Sequence, residues 1–136
     1  MTNLKVDANV RRADLYAELK ALNSKSGHIE ASAVMTRDGM SMASAHISEA
    51  DPDRVSAMCA SMLSLADTTA KELARGELRQ VLVECDKGSV LLVHIGRKAV
   101  LAVTAKASNN LGMVFHEAKK AAQKIGEMLA NAADLD

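Results

Sequence analysis

Residues 78–106, LRQVLVECDKGSVLLVHIGRKAVLAVTAK, decide the fold. Three apolar, β-branched runs stand here, divided only by Lys87-Gly88 and by Gly96-Arg97-Lys98. Runs of this length and composition separated by turn residues read as a meander of antiparallel strands with short hairpins. The last run, AVLAVTA, is the most apolar, which predicts a strand covered on both faces.

Moving toward the N-terminus, Asp51-Pro52 supplies an N-cap followed by a first-turn proline, and the next glycine is Gly76. A helix of about 24 residues fits between them. Before it, His28 to Ile47 has a β-type pattern interrupted by Asp38-Gly39, a pair suited to a tight two-residue turn. That turn would set Met35 against Met42, Ala33 against Ser44 and Val34 against Ala43. Val10 to Asn23 places Leu15, Leu19 and Leu22 on one helical stripe, and Gly27 follows as a stop. Beyond the meander, Asn109 or Asn110 can cap a helix carrying Leu111, Val114, Ala118, Ala121, Ile125 and Met128.

The expected order is α-β-β-α-β-β-β-α. Strands apolar on both sides need two covering layers, so the fold class is α+β, an α/β sandwich with a central five-stranded antiparallel sheet and helices on both faces. A chain of 136 residues without a linker or repeat reads as one domain, residues 1–136, with 1–8 and 131–136 frayed.

Composition narrows the function. Seventeen basic residues balance seventeen acidic ones, and Tyr16 and Phe115 are the only aromatics, which argues against a nucleic-acid binder. With no signal segment and no apolar run long enough to span a bilayer, a cytoplasmic protein without membrane insertion is expected. The two cysteines, Cys59 and Cys85, read as buried reduced thiols.

Catalytic and cofactor chemistry finds no foothold. Neither GxxxxGK[ST] nor GxGxxG occurs, and there is no Gly-x-Ser-x-Gly elbow. A turn at Lys87-Gly88 would pair Cys85 with Val90 and His94 with Val81, leaving thiol and imidazole about 13 Å apart. His28, His46 and His116 lack neighbours at metal-ligand spacing. The chain is therefore expected to be no enzyme and to hold no metal or cofactor. Lys119, Lys120 and Lys124, flanked by Glu117 and Glu127, read as a solvated helix face.

Between Val55 and Ala66 the middle helix runs VSAMCASMLSLA, twelve residues without a charge. Its apolar positions from Val55 to Leu73 span about 160° of the cylinder, more than one contact stripe requires. The rest of the surface, Ala57, Ala60, Ser61, Ser64 and Thr68, is small enough for close approach of another helix. One neighbour is the chain's own sheet; a second copy related by a two-fold axis is the natural other.

In this order the motifs resemble the roadblock / dynein light chain family, in particular its small bacterial members related to the gliding-motility GTPase regulator. Gly27 to Ser44, GHIEASAVMTRDGMSMAS, is similar to the family's first hairpin, and Leu78 to Gly112 to its meander and Asn-Leu-Gly entry into the last helix. The resemblance implies a homodimer, or a heterodimer, in which middle helices pack together and third strands meet edge to edge. It also implies binding of a Ras-like small GTPase, whose own groups do the chemistry.

On this reading the dimer interface comprises Val55, Met58, Cys59, Met62, Leu63, Ala66, Leu78, Gln80, Val81 and Leu82. Arg37 and Arg97, in exposed turns, are candidate GTPase contacts. Asp38, Gly39, Asp51, Pro52, Gly88, Asn110 and Gly112 are structural: Asn110 caps the last helix, and Gly112 lets its first turn approach a neighbour, so a bulky side chain there should destabilise the domain. The alternatives are a purely structural adaptor subunit, indifferent to nucleotide, and a small-molecule sensor, which needs a sizeable apolar pocket.

Overall fold

The computed structural model describes residues 2–45, 50–107 and 110–134, with side chains from Arg12 to Asn131. His46 and Asn109 lie outside the described residues, as do side chains in most of the two end segments read as frayed. The elements are α1 (Thr2–Lys25), β1 (Ile29–Thr36), β2 (Ser41–Ala45), α2 (Pro52–Glu72), β3 (Gln80–Cys85), β4 (Gly88–Ile95), β5 (Ala99–Lys106) and α3 (Leu111–Asp134). This is the expected order. The first helix starts at Thr2 rather than Val10.

The five strands form one antiparallel sheet, β2-β1-β5-β4-β3. β5 lies at its centre, and the period-2 alternation of strand side chains sends Leu101 and Val103 to one face, Val100 and Ala102 to the other. On the first face Leu15, Leu19 and Leu22 of α1 and Val114, Ala118, Ala122 and Ile125 of α3 join the sheet in the larger core. On the second, α2 alone contributes Cys59 and Leu63, packed with Ala33, Met35, Leu92, Val100 and Ala102. Lys124, read as solvated, reaches Glu18 at 2.9 Å and links α3 to α1. The Ser32 hydroxyl donates to Asn23 Oδ1 at 2.8 Å, and Asn23 Nδ2 donates to the Ala45 carbonyl at 3.2 Å, joining α1 to β1 and β2.

Both hairpin registers depart locally from expectation. Ala33 faces Ser44 and Val34 faces Ala43, but a bulge after Val34 sets Met35 opposite Ser41 instead of Met42. The turn accounts for this: the Thr36 N–H donates to the Met40 carbonyl and the Gly39 N–H to the Thr36 carbonyl, enclosing Arg37, Asp38 and Gly39, and Gly39 has φ +97°. Three-residue loops of this kind end in a left-handed residue and a bulge, so they shift pairing by one.

In the second hairpin the turn residues are Asp86 and Lys87, not Lys87 and Gly88, so Cys85 pairs with Gly88, Val83 with Val90 and Val81 with Leu92. Gly88 is inside the ladder at φ +144°, where an added Cβ would lie 2.2 Å from the Ala105 carbonyl oxygen. Only glycine permits that approach.

Candidate protein-docking interface

The N-terminus of α2 is built as its sequence dictates. Asp51 Oδ1 accepts from the Asp53 N–H at 3.0 Å, the Asp51 carbonyl accepts from the Val55 N–H, and Pro52 occupies the first turn, where no N–H is needed. The helix ends at Glu72, before Gly76: Ala74 turns left-handed at φ 54°, and the Arg75 N–H bonds back to the Ala70 carbonyl.

Three sides of α2 have different surroundings. Ser56, Cys59, Ala60 and Leu63 are buried in the subunit. The flank carrying Ala57 and Ala60 meets the β1–β2 turn so closely that a Cβ on Gly39 would stand 3.1 Å from Ala57 Cα and 3.4 Å from Ala60 Cβ. The opposite flank is open. Met58 and Leu65 are 57% and 70% exposed, and Val55 and Met62 are half-buried. Together with Val90, Ala102 and Thr104, Val55, Met58 and Met62 line an apolar groove of about 190 Å³ between helix and sheet.

Beside this flank runs β3, an edge of the sheet. Leu78 and Val81 pack toward the α2 side. Leu82, on the other face, is 37% exposed, and the Gln80 Oε1 atom is buried without a hydrogen-bond partner.

The residues expected at an interface therefore divide. Cys59 and Leu63, at 4% and 1% exposure, are sealed inside the subunit by its own sheet and belong to the core. Met58 and Leu82 are exposed, and Val55, Met62, Ala66, Leu78, Gln80 and Val81 are half-buried, with Gln80 and Leu82 on the α1/α3 face of the sheet and the others on the α2 side. Leu65, on the apolar stripe but not among the residues expected at the interface, points almost directly away from the buried arc of Ser56, Cys59, Ala60 and Leu63, which is what exposes it. Among the small residues, Ala60 is taken by that turn rather than left for a second helix.

The turn arginines also differ. Arg37 Nη2 lies 3.9 Å from Asp67 Oδ2 on α2, while Arg97 is exposed between β4 and β5. His94 is half-buried, and burial holds its imidazole below the ordinary value of 6.5; the positive charge of Arg37 acts in the same direction, and Asp67 and Glu77 oppose both. Cys85 is exposed, contrary to the buried thiol expected, whereas burial raises the Cys59 thiol above its ordinary value. His94 stands six positions along β4 from Gly88, the partner of Cys85, on the order of 20 Å, so these two groups form no dyad. Among the described residues no group of three or more His, Cys, Asp or Glu could hold a metal, and no helix is long and apolar enough to cross a membrane.

Asn110 begins α3, its carbonyl accepting from the Met113 and Val114 N–H groups, and its Nδ2 lies 3.5 Å from His28 Nε2. Gly112 departs from expectation: an added Cβ would meet nothing within 4 Å, so no close approach demands glycine there.

With this architecture in place, comparison with known proteins is decisive. The Roadblock/LC7 domain profile matches residues 16–105. The chain belongs to this family. Two uncharacterized proteins of Methanocaldococcus jannaschii, MJ1340 and MJ0310, are each 36% identical over 110 residues, spanning 81% of this chain and 95% of theirs. The roadblock fold recurs in a crystal structure of a Roadblock/LC7 domain from Streptomyces avermitilis, with TM-score 0.79, 19% identity, and coverage of 85% of this chain and 97% of that one. Myxococcus xanthus MglB superposes with TM-score 0.81 at 19% identity, covering 88% and 90%. At such identities the shared property is the roadblock fold, including its five strands and three helices.

Proposed function

We propose that this roadblock chain is a regulatory or scaffold subunit without catalytic residues of its own, which dimerises and engages a Ras-like small GTPase through a surface composed from both copies. The observation carrying this reading is the open apolar flank of α2, Met58, Met62 and Leu65, beside the free edge of β3. An exposed apolar strip adjoining an unpaired strand marks a protein interaction site.

A second copy is the simplest cover, because a two-fold axis lets one patch complete itself; a paralogous roadblock chain would do so with the same geometry. The GTPase is expected from the likeness to MglB and to the gliding-motility regulators, and the nucleotide chemistry belongs to that partner. Light scattering combined with titration of the GTPase encoded nearest to this protein, loaded with GTP or GDP, tests both parts. A dimer that prefers the GTP form or changes its hydrolysis rate is the expected result. Equal affinity for both forms would replace regulation by an adaptor role, and absence of binding to either would remove the GTPase.

A further inference from the structure

The sheet has a second edge. β2 is outermost on the side away from β3, and among the described residues no strand pairs with its outer side. Such an edge is a template for a further strand, and proteins guard edges of this kind with charged residues or proline. Ser41–Ala45, with the sequence SMASA, carries neither. Asn23 Nδ2 already donates to the Ala45 carbonyl, which leaves Ser41 to Ser44 as the open stretch.

That stretch forms the floor of a cleft of about 570 Å³. Arg12 and Tyr16 of α1 line it on one face of the sheet, and Pro52 and Asp53 of α2 line it on the other. The two walls restrict what can reach the backbone of β2. A helix, about 10 Å across, is too wide to pair with it, whereas an extended chain pairs at about 4.8 Å and keeps its side chains off the edge. A second copy of this edge brings the same two walls with it, and opposing walls would meet before the strands came within that distance. A free extended segment has no walls.

Charge restricts its composition. Arg12 and Asp53 are exposed, and neither has an ion-pair partner among the described residues. Strand side chains alternate between faces, so a segment lying between the walls offers an acidic side chain to Arg12 and a basic one to Asp53 when these are an odd number of residues apart. On the Arg12 side, Tyr16 at 43% exposure and Met42, packed against the larger core, add an apolar contact.

We propose that the Ser41–Ser44 edge of β2 binds an extended peptide of a partner protein by strand addition, with acidic and apolar side chains on the α1 face and basic ones on the α2 face. Backbone hydrogen bonds supply affinity, and the two walls supply specificity. The site lies on the β1–β2 side of α2, away from the open flank carrying Met58, so it stands independently of the dimer reading.

Titration of the full chain with the peptide Thr-Val-Lys-Glu-Lys-Glu-Thr-Val tests it, because valine and glutamate share one face of this strand and threonine and lysine the other. Two further forms are N-methylated on alternate residues. Strand addition uses the N–H of every second residue, so one form should bind like the parent peptide and the other should lose binding. Backbone amide resonances of Ala43 and Ser44 should shift while those of β3 stay in place. Arg12→Glu, a change on the exposed surface, should weaken binding about fivefold and reverse the preference between this peptide and one with lysine in place of glutamate. Equal binding of both N-methylated forms would overturn strand addition, leaving only attraction between surface charges. Shifts confined to β3 would overturn the choice of edge, and no binding at about 1 mM peptide would overturn the site.

Discussion

Arg37, in the turn between β1 and β2, and Asp67, in the last third of α2, form an ion pair with 3.9 Å between Nη2 and Oδ2. The same carboxylate oxygen receives Lys71 at 3.2 Å, one turn further along the helix. The pair joins the flank of α2 to the first hairpin, so the arginine is engaged within its own subunit. Because the Arg37 side chain is 41% exposed, solvent screens most of the attraction. Arg37→Ala should lower stability by no more than about 1 kcal/mol in urea titrations, so a larger loss of GTPase affinity in that variant would identify a direct contact.

Leu63 and Leu65, two residues apart on α2, should answer to different assays. Leu63 is 1% exposed, and Leu63→Ala should cost about 2.7–5 kcal/mol through the cavity it leaves. Leu65 is 70% exposed, and Leu65→Asp should leave the unfolding free energy of the isolated subunit within about 0.5 kcal/mol. The same variant should weaken self-association at least tenfold, about 1.4 kcal/mol, in dilution followed by light scattering.

Two glycines should separate just as clearly in thermal melts. Gly88→Ala forces a side chain into φ +144° with its Cβ 2.2 Å from the Ala105 carbonyl oxygen. A loss on the order of 3 kcal/mol or a failure to fold is expected. Gly112→Ala, in the first turn of α3 with open space around it, should be neutral or stabilising by up to about 1 kcal/mol through helix propensity.

His94 sets a weak pH dependence. Its imidazole is held below 6.5 in the folded state, first by burial and then by Arg37, with Asp67 and Glu77 opposing. Above the unfolded value both states are neutral and the residue contributes nothing. As pH falls below 6.5 the unfolded chain takes up a proton that the folded chain refuses, so stability declines until the lowered folded value is reached. Urea midpoints measured from about pH 7.5 to about 5.5 should fall less steeply for His94→Gln than for the parent.

The elements, their order and the pairing of Ala33 with Ser44 were legible because each depends on local signals: apolar periodicity, Asp51-Pro52, and turn residues between strands. What was illegible depends on contacts between segments distant in sequence. Lys87-Gly88 has the letters of a two-residue turn, but Gly88 is required by the backbone of β5, seventeen residues away at Ala105, and that requirement moves the turn back by one residue. The charge-free face of α2 signalled more burial than one sheet can supply. It did not say which flank stays open, because that is decided by the β1–β2 turn lying against Ala57 and Ala60. Gly112 misled for the converse reason: a glycine at a helix start suggests a close neighbour, and here there is none.

Two helices shelter one side of the sheet and a single one the other. A newly made copy with Met58 and Leu65 in water presents the kind of surface that chaperones hold and proteases survey. On the dimer reading, the solitary copy is the vulnerable one, and its share falls as the total concentration of the chain rises.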